Sequence, residues 1–220
     1  MEDRTSAGLW IELVGQDSPD YASRAAELLA TEGVTSAWWG KNANPDRTDL
    51  PRKIPEFSML GIYETGDAFM APEPKEGSLG FHFERTSRPG QGIITGEPTT
   101  GVLLVLISPR DPAEATALRD WADFIHIRHI AAVSVPGYAM ITPYENVTGG
   151  SPRYMHLYEM NGEDPEETFS SMRPLVEERL GAAGSPEFDS WATHRQLRIE
   201  YVNTFRRTGT IPPGSTRSGG

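Results

Sequence analysis

The sequence predicts an α+β protein built from two ferredoxin-like units in tandem, each with an antiparallel sheet. Three observations lead there. The second half reads strand, helix, strand, strand, helix, strand, which is the split βαβ order. The first half starts with the same strand, helix, strand, strand and then becomes irregular. Residues 101–108 are an unbroken apolar run, as expected for a strand covered on both faces. The chain therefore divides into an N-terminal half, residues 1–99, irregular after residue 64, a C-terminal half, residues 100–207, and a disordered tail, residues 208–220.

Each element has its own signal. Residues 9–15 alternate, with Leu9, Ile11 and Leu13 on one face and Trp10, Glu12 and Val14 on the other. Ser18 and Pro19 are an N-cap and a first helical position for a helix reaching about residue 32, which Gly33 ends. Strands follow at 34–40 and 56–63, separated by a polar, proline-rich loop over 41–55. Residues 64–98 are rich in glycine and proline, with one short strand at 79–84, and a loop of that length has a function or crosses between subunits of the fold. Its basic Arg85–Arg88 stretch with Gly90 and Gly92 is an anion-binding candidate that matches no phosphate-loop pattern, and His82 reads as a strand residue. After the 101–108 strand, Asp111 caps a helix running to about Val133. Strands at 138–144 and 152–160 form a hairpin, Asp164 opens a helix to Leu180 with acids at its positive end, and the last strand is 197–205.

Composition narrows the function. The formal net charge of −11 disfavours nucleic acid and anionic membrane surfaces as partners. The chain has no cysteine, so disulfides and thiol nucleophiles are excluded and a metal would need His, Asp or Glu. No G-x-S-x-G elbow or nucleotide-binding glycine motif is present. No stretch is long enough to be a membrane helix, and the first fifteen residues lack signal-peptide features, so a cytoplasmic protein is expected.

The chemistry concentrates in residues 120–143. His126 and His129 stand three apart on a helix face that also receives Ala122 and Val133. Imidazoles on an apolar face are either core residues held by hydrogen bonds or the polar lining of a pocket. In the 152–160 strand, Tyr154, His156 and Tyr158 share one face, and Met155 and Leu157 the other. The apolar face suits outer helices, which leaves Tyr154, His156 and Tyr158, together with Trp10 and Glu12, facing the barrel interior as the lining of a pocket for a flat aromatic ligand.

The second half resembles the EthD-like branch of the dimeric α/β-barrel superfamily. The family helix D/N-W-Y-D-x-E-H-I-P followed by P-G-F/Y is matched by Asp120, Trp121, Asp123, His126 and Ile127, then Pro136, Gly137 and Tyr138. The family strand R-Y-L-x-L-Y-E is matched at Arg153, Tyr154, Leu157, Tyr158 and Glu159, with a D-P-E helix start at Asp164. Ala122, Ile125 and Arg128 stand where the pattern has Tyr, Glu and Pro, so any role of that Glu passes to His129 or Asp123. The resemblance implies two four-stranded sheets closed into a barrel, from one chain or from two, and a possible homodimer. The superfamily includes cofactor-free monooxygenases, isomerases, cyclases, dehydratases and haem enzymes, and fold does not choose among them.

The resulting expectation is an enzyme acting without organic cofactor on a hydrophobic, aromatic or polyketide-like substrate, with monooxygenase chemistry favoured over isomerase, cyclase or dehydratase. The alternative is a non-catalytic binder of the same fold. His126 is the general acid/base, because its ordinary pKa lies near neutrality. Asp123 orients it, and His156 serves as acid or oxyanion donor with support from Tyr158. Trp121, His129, Tyr154, Tyr158, Trp10 and Glu12 form the substrate-binding set. No metal site is expected: His126, His129 and Asp123 on one helix lack a fourth ligand, and haem is a lesser alternative. His194 is assigned to the surface.

Overall fold

The computed structural model describes residues 7–15, 20–86 and 98–213. Its strands are β1 (Gly8–Val14), β2 (Val34–Asn42), β3 (Met59–Thr65), β4 (Ser78–Arg85), β5 (Gly101–Pro109), β6 (Tyr138–Asn146), β7 (Tyr154–Met160) and β8 (Leu197–Ile211). They close into an antiparallel barrel in the order β1-β3-β2-β8-β5-β7-β6-β4. The order within the first four strands is β4-β1-β3-β2 and within the last four β8-β5-β7-β6. Each half is therefore a ferredoxin-like sheet, and the two are sealed by the β2–β8 and β4–β6 pairings. The barrel closes within one chain.

The helices are α1 (Tyr21–Leu29), α2 (Ala115–Trp121), α3 (Arg128–Ala132), α4 (Pro165–Leu180) and α5 (Pro186–Ala192). A π-helical stretch, Ala122–Ile127, links α2 to α3. Within the described residues Asp20 caps α1, its carboxylate accepting from the Ser23 amide at 3.4 Å. The expected cap at Ser18 and Pro19 lies outside the described residues, as does most of the Arg85–Gly92 stretch. Asp164 caps α4 as the sequence indicates, accepting from the Glu166 amide at 2.8 Å and the Glu167 amide at 3.3 Å. No second helix forms between β3 and β4, in agreement with the irregular reading of that segment.

Several expectations need correction. Strand β3 begins at Met59 and not at 56, because the approach to it is held by Asn42, which donates to Glu56 (2.8 Å) and to the Phe57 carbonyl (2.7 Å). Helix α5 falls in a stretch read as loop. The tail does not begin at 208: β8 runs on to Ile211, pairing Gly209 with Trp39 and Ile211 with Ala37. Thr208, Thr210 and Ile211 suit a strand although Gly209 does not, and the segment is ordered by pairing with the β2 edge it seals.

The largest correction concerns the faces of the sheet. The barrel interior is packed with Leu9, Ile11, Leu13, Leu60, Leu104, Leu106, Met155, Leu157 and Phe205. Tyr154, His156 and Tyr158 do share a face, as the alternation requires, but it is the outer one, under the helices; Trp10 and Glu12 likewise face outward, toward α1. The interior of a closed eight-stranded barrel is narrow enough for side chains to fill. Here aliphatic and aromatic groups pack the interior, and the amphipathic set lies in the layer between sheet and helix.

Candidate active site between the C-terminal sheet and its helices

A cavity of about 470 Å³ separates the outer face of the β5–β7–β8 sheet from the helices of the C-terminal half. Strand register builds its floor. Val105 pairs with His156 on one side and Val202 on the other, so these three form one cross-strand row, and Leu103 beside Tyr158 forms the next. His126 and Ile130 come from the π-helical stretch and α3, Phe169 and Met172 from α4, Phe188 and Trp191 from α5. The volume and the apolar, aromatic walls with few polar groups suit a small organic ligand.

His126 is held in one orientation. Its ring lies parallel to the Trp191 indole (centroids 5.1 Å apart, 6° between planes) and is flanked by Trp121 at 5.1 Å. Its Nδ1 lies 3.0 Å from the Trp191 carbonyl oxygen. A carbonyl only accepts, so Nδ1 carries the proton in the neutral ring and Nε2 keeps its lone pair. The Trp191 Nε1 returns a bond to the His126 carbonyl at 3.1 Å, and the Trp121 Nε1 donates to the Ser190 carbonyl at 2.8 Å. The ring, its tautomer and both flanking indoles are thus tied to one another and to α5. Burial lowers the His126 pKa below its ordinary 6.5; the Trp191 carbonyl opposes this and the charge of His129 adds to it. Burial, and then repulsion from His126, push His156 down to about 3. Both cavity imidazoles are neutral near pH 7.

The structure brings His126, His156, Trp121 and Tyr158 of the predicted set to this cavity. It does not bring the others. Asp123 is buried (1% exposed) yet is not among the cavity walls. His129 turns toward Arg179 and Arg128, whose charges, after burial, lower its pKa. The physical reason is the π turn: i→i+5 bonding widens the helix over Ala122–Ile127 and re-aims side chains that an α-helix would align. Tyr154 packs with Leu118 and Trp121 and donates its hydroxyl to the Ala115 carbonyl at 3.0 Å, so it is a core residue beneath α2. Trp10 and Glu12 belong to the other half of the molecule. Glu12 accepts from Tyr21 Oη (2.8 Å) and Arg24 Nη2 (2.7 Å) in a buried ion-pair network, and it lines neither this cavity nor the one at the barrel end. His194 is not a plain surface residue: it is partly buried and stacks on Trp121 at 5.5 Å. The trio His126, His129 and Asp123 does not converge, and among the described residues no three His, Asp or Glu side chains group as metal ligands.

Sequence reasoning missed Trp191 and Arg47. Trp191 sits in the unexpected helix α5, and its proximity to the His126 region was invisible at a separation of 65 residues. Arg47 comes from the loop after β2 in the N-terminal half, and its guanidinium lies 4.9 Å over the Phe169 ring at the cavity edge. A basic residue inside a polar loop carries no local sign of such a role. A second cavity, about 520 Å³, opens at the barrel end between Leu9, Ile62, Val102 and Leu157, with Glu64, Glu159 and Arg207 among its walls; it holds none of the predicted residues.

The fold, a barrel of two ferredoxin-like units with helices outside, is the dimeric α/β-barrel fold, here completed by a single chain. Among solved structures the chain is similar to one named as a putative monooxygenase from Lactobacillus acidophilus NCFM, with 13% identity, 94% of this chain and 97% of the other covered and a TM-score of 0.52. It is also similar to a chlorite dismutase from Candidatus Nitrospira defluvii, at 10% identity, covering 93% of this chain and 92% of the other, with a TM-score of 0.49. No family model and no curated protein matches the chain. At these identities the likeness shows the fold. No helix among the described residues is long and apolar enough to cross a membrane.

Proposed function

We propose that the C-terminal cavity is the active site of an EthD-like enzyme that acts, without organic cofactor, on a hydrophobic aromatic or polyketide-like molecule. The observation that supports this reading is the fixed tautomer of His126: Nδ1–H on the Trp191 carbonyl leaves a basic Nε2 on a ring that lines the cavity. A neutral imidazole held between two indoles is a general base needing no protonation change at pH 7. It takes a proton from a phenol or an activated C–H. His156, neutral and on the floor, offers an N–H to the oxygen on which negative charge develops. Monooxygenation is the favoured outcome, and the name of the L. acidophilus structure is what favours it over isomerisation, cyclisation or water loss. The balance needs no external reductant: a substrate CH₂ and O₂ give a C=O and water, and the substrate supplies the electrons.

The test is turnover of aromatic polyketides and related phenols under air, after dialysis against a chelator, by wild type and His126→Gln. Oxygen uptake with a mass gain of the product is expected from wild type alone. A compound that raises the melting temperature of both proteins and is converted by neither overturns catalysis and leaves a small-molecule binder. A haem protein is the second reading: with Nδ1–H on the Trp191 carbonyl, His126 Nε2 would be the group to hold the iron, which would supply redox chemistry when bound. Hemin titration decides it: a Soret shift in wild type that His126→Gln abolishes would replace the cofactor-free reading. A homodimer belongs to the proposal, and light scattering would then give about twice the 24.2 kDa chain mass.

A further inference from the structure

The C-terminal cavity has one wall from the N-terminal half: Arg47, Asp49 and Leu50, in the segment between β2 and β3. That segment is attached differently from the other walls. At its start the Ala43 amide donates to the Thr204 carbonyl (2.9 Å), and at its end the Lys53 and Ile54 amides donate to the Glu200 carbonyl (2.9 and 3.0 Å). Between these ties, the backbone-to-backbone hydrogen bonding of residues 44–52 among the described residues is the local Arg47 amide to the Asn44 carbonyl (3.3 Å). Asn44 is fixed near the first tie, its carbonyl accepting from Asn203 Nδ2 (2.8 Å). Beyond it the segment is exposed or half-exposed except at Arg47, which is 3% exposed. Arg47 Nε donates to Asn203 Oδ1 (3.0 Å), Nη2 pairs with Glu166 at the start of α4, and Nη1 pairs with Asp49 of the segment itself (3.1 Å).

We propose that residues 44–52 are a gate over the cavity and that Arg47 is its latch. Between its end ties the nine-residue span is held by the buried Arg47, by half-exposed Leu50 packed against the C-terminal core, and by Asn44 and Arg52 bonded to Glu166 and Glu56 respectively. Arg47 is the buried contact whose release frees the middle of the span. The sheet and helices around it cannot move without breaking packed core. Glu166 is partly exposed, so release returns both charges to water and the opened state regains their hydration. Segments with few buried apolar contacts and sparse backbone hydrogen bonds open first, and lids are drawn from them. Arg47 thereby decides what reaches His126, although it need not touch the reacting atoms. The inference rests on access to the cavity and not on the chemistry assigned to His126.

The cysteine-free chain permits a clean test. Val202→Cys places one thiol on the cavity floor, and its reaction with 5,5′-dithiobis(2-nitrobenzoate) is followed at neutral pH. Adding Arg47→Met, which keeps the stem and removes the fork, is expected to raise the labelling rate by about tenfold or more, and Glu166→Gln, which loosens the latch from the α4 side, to raise it in the same direction. Arg24→Met, which weakens the N-terminal half away from the cavity, separates gating from general unfolding. Equal labelling rates with and without Arg47→Met and Glu166→Gln overturn the gate, as does equal acceleration by Arg24→Met. Neither readout needs a ligand or turnover, so loss of the gate and loss of the enzyme reading are distinguishable results.

Discussion

The two halves share a strand order and differ in what lies between sheet and helix. In the N-terminal half that layer is full. Trp10, Tyr21, Trp39, Tyr63 and Phe69 pack over the sheet, with Trp10 and Phe69 centroids 6.0 Å apart. Its buried acid among the described residues is paired: Glu12 accepts from Tyr21 and Arg24, and Tyr63 Oη donates onward to Tyr21 Oη at 3.0 Å. Gly61 makes room for this, since a Cβ there would meet Tyr21 Oη at 2.1 Å. In the C-terminal half the same layer is hollow by about 470 Å³; two neutral imidazoles line it, one of them bonded through a single nitrogen to a backbone carbonyl, with Arg47, Asp49 and Glu166 also among its walls. Dense packing is the usual state of a protein interior, and buried polar groups are normally satisfied. The two copies differ in the first of these: one layer is filled, and the other is hollow beside His126 and His156. That difference in packing, more than the presence of histidine, is why the proposed active site is placed in the second layer.

Substitutions can break this contrast from either side. The largest effect is expected in the hollow layer: His126→Gln should cost about 10²–10⁴-fold in kcat, the range of a lost general base, with ligand binding retained, read by steady-state kinetics beside thermal shift. The full layer should answer in stability instead. Arg24→Met leaves Glu12 buried without its cation and should cost about 3 kcal/mol or more in urea unfolding; an unchanged midpoint would mean that the network is incidental. His156→Leu, by contrast, removes a buried imidazole and should lie within about 1 kcal/mol of wild type at pH 7.5 while lowering activity.

The same His156 sets a pH window. The unfolded chain titrates this ring near 6.5 and the folded chain at about 3, so the unfolded state binds the extra proton between those values. Its contribution is constant above about pH 6.5, and stability is lost as the pH falls toward about 3. His156→Leu should therefore gain on wild type progressively over that interval, and parallel stability curves would refute the assignment. In the active enzyme the acid limb of kcat/KM should fall below pH 6.5, since burial lowers His126. The smallest effect is expected at Tyr138, whose buried hydroxyl finds no hydrogen-bond partner among the described residues while its ring meets Tyr158 edge-on at 5.7 Å. Tyr138→Phe keeps the ring contact and should change stability by about 1 kcal/mol or less, in either direction.

Much of the architecture was legible because it is local. Alternation located β1 and β7, a run apolar on both faces located β5, and a side-chain cap placed the start of α4. Helical spacing singled out His126 and strand alternation grouped His156 with Tyr158, while Trp121 came from the EthD-like motif; the structure brings the four to one cavity, on the outer face of the sheet and not in the barrel interior. Asp123 and His129 were misplaced because a π turn does not announce itself in residue spacing. Tyr154, Trp10 and Glu12 were misplaced because alternation states which residues share a face and not which layer that face meets.

What the sequence by itself determined is the strands, the helices other than α5, their order and the parity of β1 and β7, since these follow from backbone geometry within a few residues. Only the tertiary structure decided which face is the barrel interior, that β8 continues to Ile211 to seal the barrel against β2, and that Trp191 and Arg47 complete a site begun by His126. Those outcomes depend on contacts between residues far apart in the chain, such as Arg47 with Glu166, 119 positions away. Such contacts exist only after closure of the barrel has met the entropy of bringing distant segments together.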